Sequence, residues 1–290
     1  MFVNASGEVW ADRGSGPDLE RSLHFDTPSA RNLAISLIAL GGRHVDEANP
    51  CADVRLADGL RVHVVLPPVS RGGPVISVRA PSILPLSLDD LDADGVFQRV
   101  SRSTLLGLVE ARSNLLITGA GGSGKTTLLA ALRGAASPRE RIVTIEDVAE
   151  LRIDHPHVVA LETRQANLEG VGHIDLARLV REALRMKPDR LVVGECRGEE
   201  VRELLSALNT GHDGGAGTLH ANGLHAVPAR LEALGALAGL SPEALARQAV
   251  SAFGAVIHLA RADEGRRITG LARLAIGTDG RLRVDLDAAA

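Results

Sequence analysis

Gly119-Ala-Gly-Gly-Ser-Gly124-Lys125-Thr126 fits the pattern G-x-x-x-x-G-K-[ST], and it stands between a short apolar run, "NLLITG", and a helix-forming run, "GKTTLLAALRGAA". Glycines at these positions let backbone N–H groups converge on an anion, and the amino terminus of the following helix adds positive potential. Gly119, Ala120, Gly121, Gly122, Ser123, Gly124, Lys125, Thr126 and Thr127 are thus a candidate cradle for the phosphates of a nucleoside triphosphate, with the Thr126 hydroxyl offered to Mg²⁺. Lys125 is one of only two lysines in the chain, the other being Lys187; the remaining basic residues are all Arg. A compact ammonium fits between the β- and γ-phosphates where a planar guanidinium does not.

Hydrolysis needs a carboxylate at a neighbouring strand end, and "RLVVGE" supplies Glu195, placed to hold Mg²⁺ through water or to orient the attacking water. A second acidic strand end, "TIEDVAEL", offers Glu146, Asp147 and Glu150. His220 follows a strand on the glycine-rich stretch "GTLHANG", at the strand edge where open α/β sheets bind ligands, which favours a phosphate-sensing role.

The elements that must position these groups divide the chain in two. From Gly7 the text reads as a strand, "GEVWADR", then a helix opened by Thr27 with Pro28 at its first position. Two apolar alternations split by Asp58-Gly59 predict a hairpin, and "PVISVRAPS" a further strand. Together they predict a small α+β domain with its linker over residues 1–86, "APSILPLSLDDLDADG" reading as linker. Over 87–290 strands and helices alternate, predicting a mostly parallel sheet covered on both faces and closed by a meander, "AVIHLARA", "RRITGLARLA" and "RLRVDL".

Composition narrows the function classes. Thirty-two Lys and Arg oppose 36 Asp and Glu, for a net charge of −4, and no basic run recurs, which disfavours a nucleic-acid tail. The longest apolar stretch outside the glycine loop, "LAISLIALGG", is about half the ~20 residues that a membrane span needs. The amino terminus lacks a signal-peptide pattern. Cys51 and Cys196 have no partner at zinc spacing and read as free thiols of a cytosolic protein.

Four blocks in order, "NLLITGAGGSGKTTLLAAL", "RIVTIEDVAELRI", "ALRMKPDRLVVGECRGEE" and "LNTGHDGGAGTLHANG", resemble the Walker A, Asp box, Walker B and His box of the type II/IV secretion ATPases. The likeness is greatest to the branch serving tight-adherence (Tad/Flp) pili and conjugal transfer. It implies a RecA-like P-loop NTPase core, a PAS-like amino-terminal domain and a homo-oligomer, usually a six-membered ring, working at the inner face of the cell membrane on a platform protein. It further implies that Glu146 and Glu195 are the functional acids, that His212 and His220 are the His-box histidines, and that Arg197 belongs to the Walker B block. Arg79 matches a linker arginine that reaches the phosphates, and Arg164, Arg181 and Arg185 match arginines bordering the same cleft. The tetracysteine zinc element of some relatives is missing. The resulting expectation is a motor whose domains rotate about the Pro81 to Pro85 linker. Its rivals are a DNA-translocating motor and a nucleotide-binding switch with negligible turnover.

Overall fold

Apolar residues alternating along short extended runs build the first of two compact units, Met1–Ile83. Its elements are β1 (Phe2–Val3), β2 (Glu8–Asp12), β3 (Pro17–His24), α1 (Thr27–Leu40), β4 (Cys51–Arg55), β5 (Arg61–Val65) and β6 (Val75–Arg79). The strands form one antiparallel sheet in the order β3-β2-β1-β6-β5-β4. Val62, Val64 and Ile76 share the face on which Ala34 and Ile38 of α1 pack, and this is the unit's core. The structure, a computed structural model, describes all residues except 15, 57–58, 81–84, 165–170, 263–264 and 288–290.

The expected hairpin is β4–β5, where Gly59 turns the chain with φ 78°; Asp58 lies outside the described residues. Asp26, not Thr27, caps α1, its carboxylate accepting from the Ser29 N–H at 2.8 Å. A carboxylate both satisfies the orphan amide and complements the helix dipole, which a hydroxyl does not. Strands β1 and β3 carry no readable signal, because one is two residues long and the other is almost wholly exposed.

The second unit, Leu84–Ala290, begins with α2 (Leu88–Ala93) and α3 (Arg102–Glu110). The acidic stretch read as linker is therefore helical in part. Ser87 and Asp90 form a capping box that starts α2, while Pro81 to Leu84 of the expected hinge lie outside the described residues. Then follow β7 (Leu115–Gly119), α4 (Lys125–Gly134), β8 (Ile142–Glu146), β9 (Val158–Glu162), α5 (Leu176–Leu184), β10 (Arg190–Cys196), α6 (Glu200–Leu208), β11 (Ala216–His220), α7 (Val227–Leu237), α8 (Pro242–Ala252), β12 (Ala255–Ala262), β13 (Gly265–Ile276) and β14 (Leu282–Leu286).

The sheet order is β14-β13-β12-β7-β11-β10-β8-β9, parallel from β9 to β12 and antiparallel only at β13 and β14. The tail is thus a meander from β12 onward, with β12 itself joining the parallel sheet. Buried strand residues alternate between two cores. Leu116, Val143, Val193 and Val256 pack under α5 to α8, whereas Leu115, Ile117, Ile142 and Val192 pack under α2 to α4. Both faces are covered, as the continuous apolar strands require.

Candidate functional site

The parallel strands deliver their last residues to one edge of the sheet: β7 ends in Gly119, β8 in Glu146, β11 in His220, and β10 carries Glu195 just before its end. In register, His220 lies beside Gly119 and Val193 beside Ile145, so the chemistry-bearing positions of the sequence converge here. This is the edge at which open α/β sheets take ligands.

The glycine loop is held tightly. A Cβ on Gly119 would stand 2.4 Å from the Leu259 carbonyl oxygen and 2.5 Å from Ser123 Oγ, so no larger residue fits. Gly124 caps α4 with φ 96° and no side-chain bond, which leaves first-turn amides for a ligand. Lys125 is buried, its Nζ donating to the carbonyls of Gly119 (3.0 Å) and Ala120 (2.9 Å). Burial lowers its pKa, with the Glu195 charge opposing the shift and Arg197 adding to it. Thr126 and Thr127 are half-buried in the first turn.

Glu195 is the centre of a charged cluster. Its Oε1 lies 2.8 Å from His220 Nε2, and its Oε2 accepts from Arg197 at 2.6 Å. The same guanidinium stands 3.8 Å from Asp147. Arg197 is held above its ordinary pKa, chiefly by the hydrogen bond to Glu195. Burial lowers the His220 pKa, and Lys125 pushes in the same direction while Glu195 opposes. Buried Glu200 fixes the turn behind the cluster by accepting from the Arg197 and Gly198 amides at 2.5 and 2.8 Å.

Glu146 is placed differently. It is only 4% exposed and accepts the Glu150 and Leu151 amides at 2.9 and 3.0 Å, so it staples the loop after β8. Burial raises its pKa, and those amides pull against the shift. It packs against Gly194, where a Cβ would come within 2.6 Å of its Cγ.

Other sequence candidates lie elsewhere. His212 precedes β11 at the opposite edge of the sheet, 3.2 Å from the Ala207 carbonyl, and is not brought together with His220. Arg181 pairs with Glu203 and Arg185 with Glu182 on the exposed side of α5, both at 3.1 Å. Arg164 forms a bridge with Ile174. Arg79 is an exposed residue ending β6 of the first unit.

Sequence reasoning missed the space beside the loop. A cavity of about 320 Å³ opens next to Gly124 and Thr127, walled by Leu91, Val96 and Leu259 and rimmed by Arg261 and Arg266. Its walls come from α2, the segment after it and the β12–β13 pair, which only the folded sheet places together. Arg266 donates from Nε to the Gly122 carbonyl at 3.2 Å. The Arg266-Arg267 pair gave no periodic or motif signal. Glu200 was also missed, although an acid three residues after Arg197 at a helix start is a signal that could have found it.

The profile of the family described as "Type II/IV secretion system protein" matches residues 26–267. A protein of Mycobacterium tuberculosis strain H37Rv, provisionally named a conjugal transfer protein, is 46% identical over 273 residues, 92% of this chain and 78% of that one. The conjugal transfer protein TrbB of Rhizobium radiobacter is 32% identical over 274 residues, 92% of this chain and 81% of its own. Among solved structures, the VirB11 ATPase of the Brucella suis type IV secretion system, in complex with sulphate, superposes with a TM-score of 0.53 at 26% identity, covering 94% of this chain and 91% of that one. The second unit is thus a RecA-like core, and the chain belongs to the type II/IV secretion system protein family.

Proposed function

We propose that this chain hydrolyses ATP as the motor of a secretion, pilus or conjugal-transfer machine. The observation that carries the reading is the meeting, at one sheet edge, of Lys125 in its glycine loop with Glu195 held by His220 and Arg197. Loop amides and the Lys125 ammonium bind the β- and γ-phosphates, and the 320 Å³ cavity beside Thr127 takes the nucleoside. Glu195 orients the attacking water, since it is the acid whose charge acts on Lys125, while both oxygens of Glu146 are taken by loop amides. His220 and Arg197 hold the Glu195 carboxylate in place, and Arg197 is available to the charge that develops on the transferred phosphoryl.

The residues also suit Mg²⁺. The Thr126 hydroxyl in the first turn of α4 and the Glu195 carboxylate at the same sheet edge are oxygen donors, which fits an ion that prefers one or two protein oxygens plus phosphates. When bound it would be held by Thr126 and, through water, by Glu195, and would neutralise phosphate charge.

The family points to a ring of identical subunits, six by the resemblance, docked on an inner-membrane platform protein. No helix among the described residues is long and apolar enough to cross a membrane. In this reading residues 1–86 form the mobile amino-terminal domain, residues 87–290 the ATPase, and Arg79 couples phosphate to domain movement.

Phosphate release by the purified chain tests the proposal. Glu195→Gln is expected to keep nucleotide affinity within a few fold and slow turnover roughly a hundredfold. Glu146→Gln is expected to lose less, through loosening of the 147–151 loop. Equal turnover in Glu195→Gln and the parent would reverse the roles, and no turnover in the parent would leave the nucleotide switch.

A further inference from the structure

We infer that Arg266 is a positioning residue for the phosphate loop: its bond to the Gly122 carbonyl aims the next amide, that of Ser123, at the bound phosphates. The inference rests on the proposed nucleotide site. A trans peptide is planar, so its C=O and N–H point to opposite sides. Arg266 Nε holds the Gly122 oxygen outward at 3.2 Å, and the N–H of that same peptide turns into the loop. There it donates to the Ala120 carbonyl, at 3.3 Å. So long a contact is weak and readily exchanged for a phosphate oxygen.

The side chain is laid down for this task. A Cβ on Gly124 would come within 2.9 Å of Arg266 Cδ, so the glycine lets the arginine stem lie across the loop. The strand that carries it is anchored independently of the loop. Arg267 donates to the Asp94 carbonyl at 2.8 Å, and the Ile268 amide donates to the Val96 carbonyl at 3.0 Å. Asp94, Val96 and Arg266 also line the cavity beside Gly124, so one rigid corner both walls the nucleoside space and steers the loop. A loop of glycines loses much entropy on ordering, and an external hydrogen bond that fixes one of its peptides lowers that cost before the ligand arrives.

The bond acts through the amide in ground and transition states alike, so its loss should raise the apparent affinity constant and leave the maximal rate nearly unchanged. The full chain is titrated with a fluorescent, non-hydrolysable ATP analogue, and turnover is measured across ATP concentration. Arg266→Ala is expected to raise Kd and KM about tenfold, with kcat within about twofold. Arg266→Gln keeps a donor for the carbonyl but no charge, and is expected to stay within about threefold of the parent. Melting without nucleotide should not differ among the three, because Arg266 is exposed. Parent-like Kd in Arg266→Ala would overturn the inference. So would Arg266→Gln failing as badly as Arg266→Ala with a matching fall in kcat, which would mark Arg266 as a direct charge on the phosphates. A parent that binds no analogue would overturn the nucleotide reading itself.

Discussion

Lys125 stands under the loop it serves, its ammonium bonded to the carbonyls of Gly119 and Ala120 and favoured by the opposite charge of Glu195. A guanidinium needs more donors satisfied in a plane and a wider slot than this one, so Lys125→Arg should fail despite keeping the charge. Expected is a loss of ATP affinity of at least tenfold, read by analogue titration; normal turnover in this variant would refute the account of the rare lysine. One residue after Glu195, the chemistry of Cys196 follows chiefly from burial. Burial pushes its thiol up, with Glu200 and Glu195 adding to the shift, so the thiolate that reacts is scarce. Cys51 is exposed. A thiol reagent should therefore count one reactive thiol per folded chain and two in denaturant; two in the native protein would show that the strand end opens.

At the scale of elements, the edge of the sheet opposite the phosphate loop is held by arginines. Arg190, at the start of β10, and Arg112, after α3, share the Glu140 carboxylate at 2.6 and 2.5 Å. Arg190 also donates to the Val109 carbonyl, and Arg133 at the end of α4 to the Gly214 carbonyl at 2.6 Å. Arg133 has its pKa lowered to about 9 by burial, with Arg190 adding and Glu140 opposing. One acid thus balances several buried or half-buried cations. Glu140→Gln should destabilise by about 3 kcal/mol, since it leaves the buried Arg190 without its counter-charge. Urea denaturation measures this, and nucleotide affinity should not change because the site lies at the other edge. A loss under 0.5 kcal/mol would mean that carbonyls and water already satisfy the cluster.

At the scale of the whole molecule, a motor needs nucleotide to favour one arrangement of its domains over another. A ligand shifts such an equilibrium only by its differential affinity for the two states. Arg79 is the residue proposed to supply that difference. Arg79→Ala should leave melting without nucleotide nearly unchanged, as an exposed substitution does, while the stabilisation by a non-hydrolysable ATP analogue and the hydrolysis rate both fall. Arg79→Lys should rescue only in part, because the bidentate fork is lost. An analogue-induced shift equal to the parent's, with full turnover, would return Arg79 to a surface role.

The sequence by itself determined the glycine loop, the acidic and histidine strand ends, and the alternation of strand and helix that brings them to one edge. Each of these is written in local terms: a spacing of glycines, a run of apolar residues, a charge where the run stops. Strand β9 was not read, because the four apolar residues Val158 to Leu161 make a run too short and without alternation to tell strand from helix or loop. Local terms also left open which of Glu146 and Glu195 activates the water. Tertiary structure gives them different surroundings, because burial and the Glu150 and Leu151 amides occupy one carboxylate while the other meets His220 and Arg197. The cavity beside Thr127 and the placement of Arg266 were likewise decided only in three dimensions. Their residues are distant in sequence, from Leu91 to Arg266, and only parallel pairing of β12 with β7 lays them beside the loop.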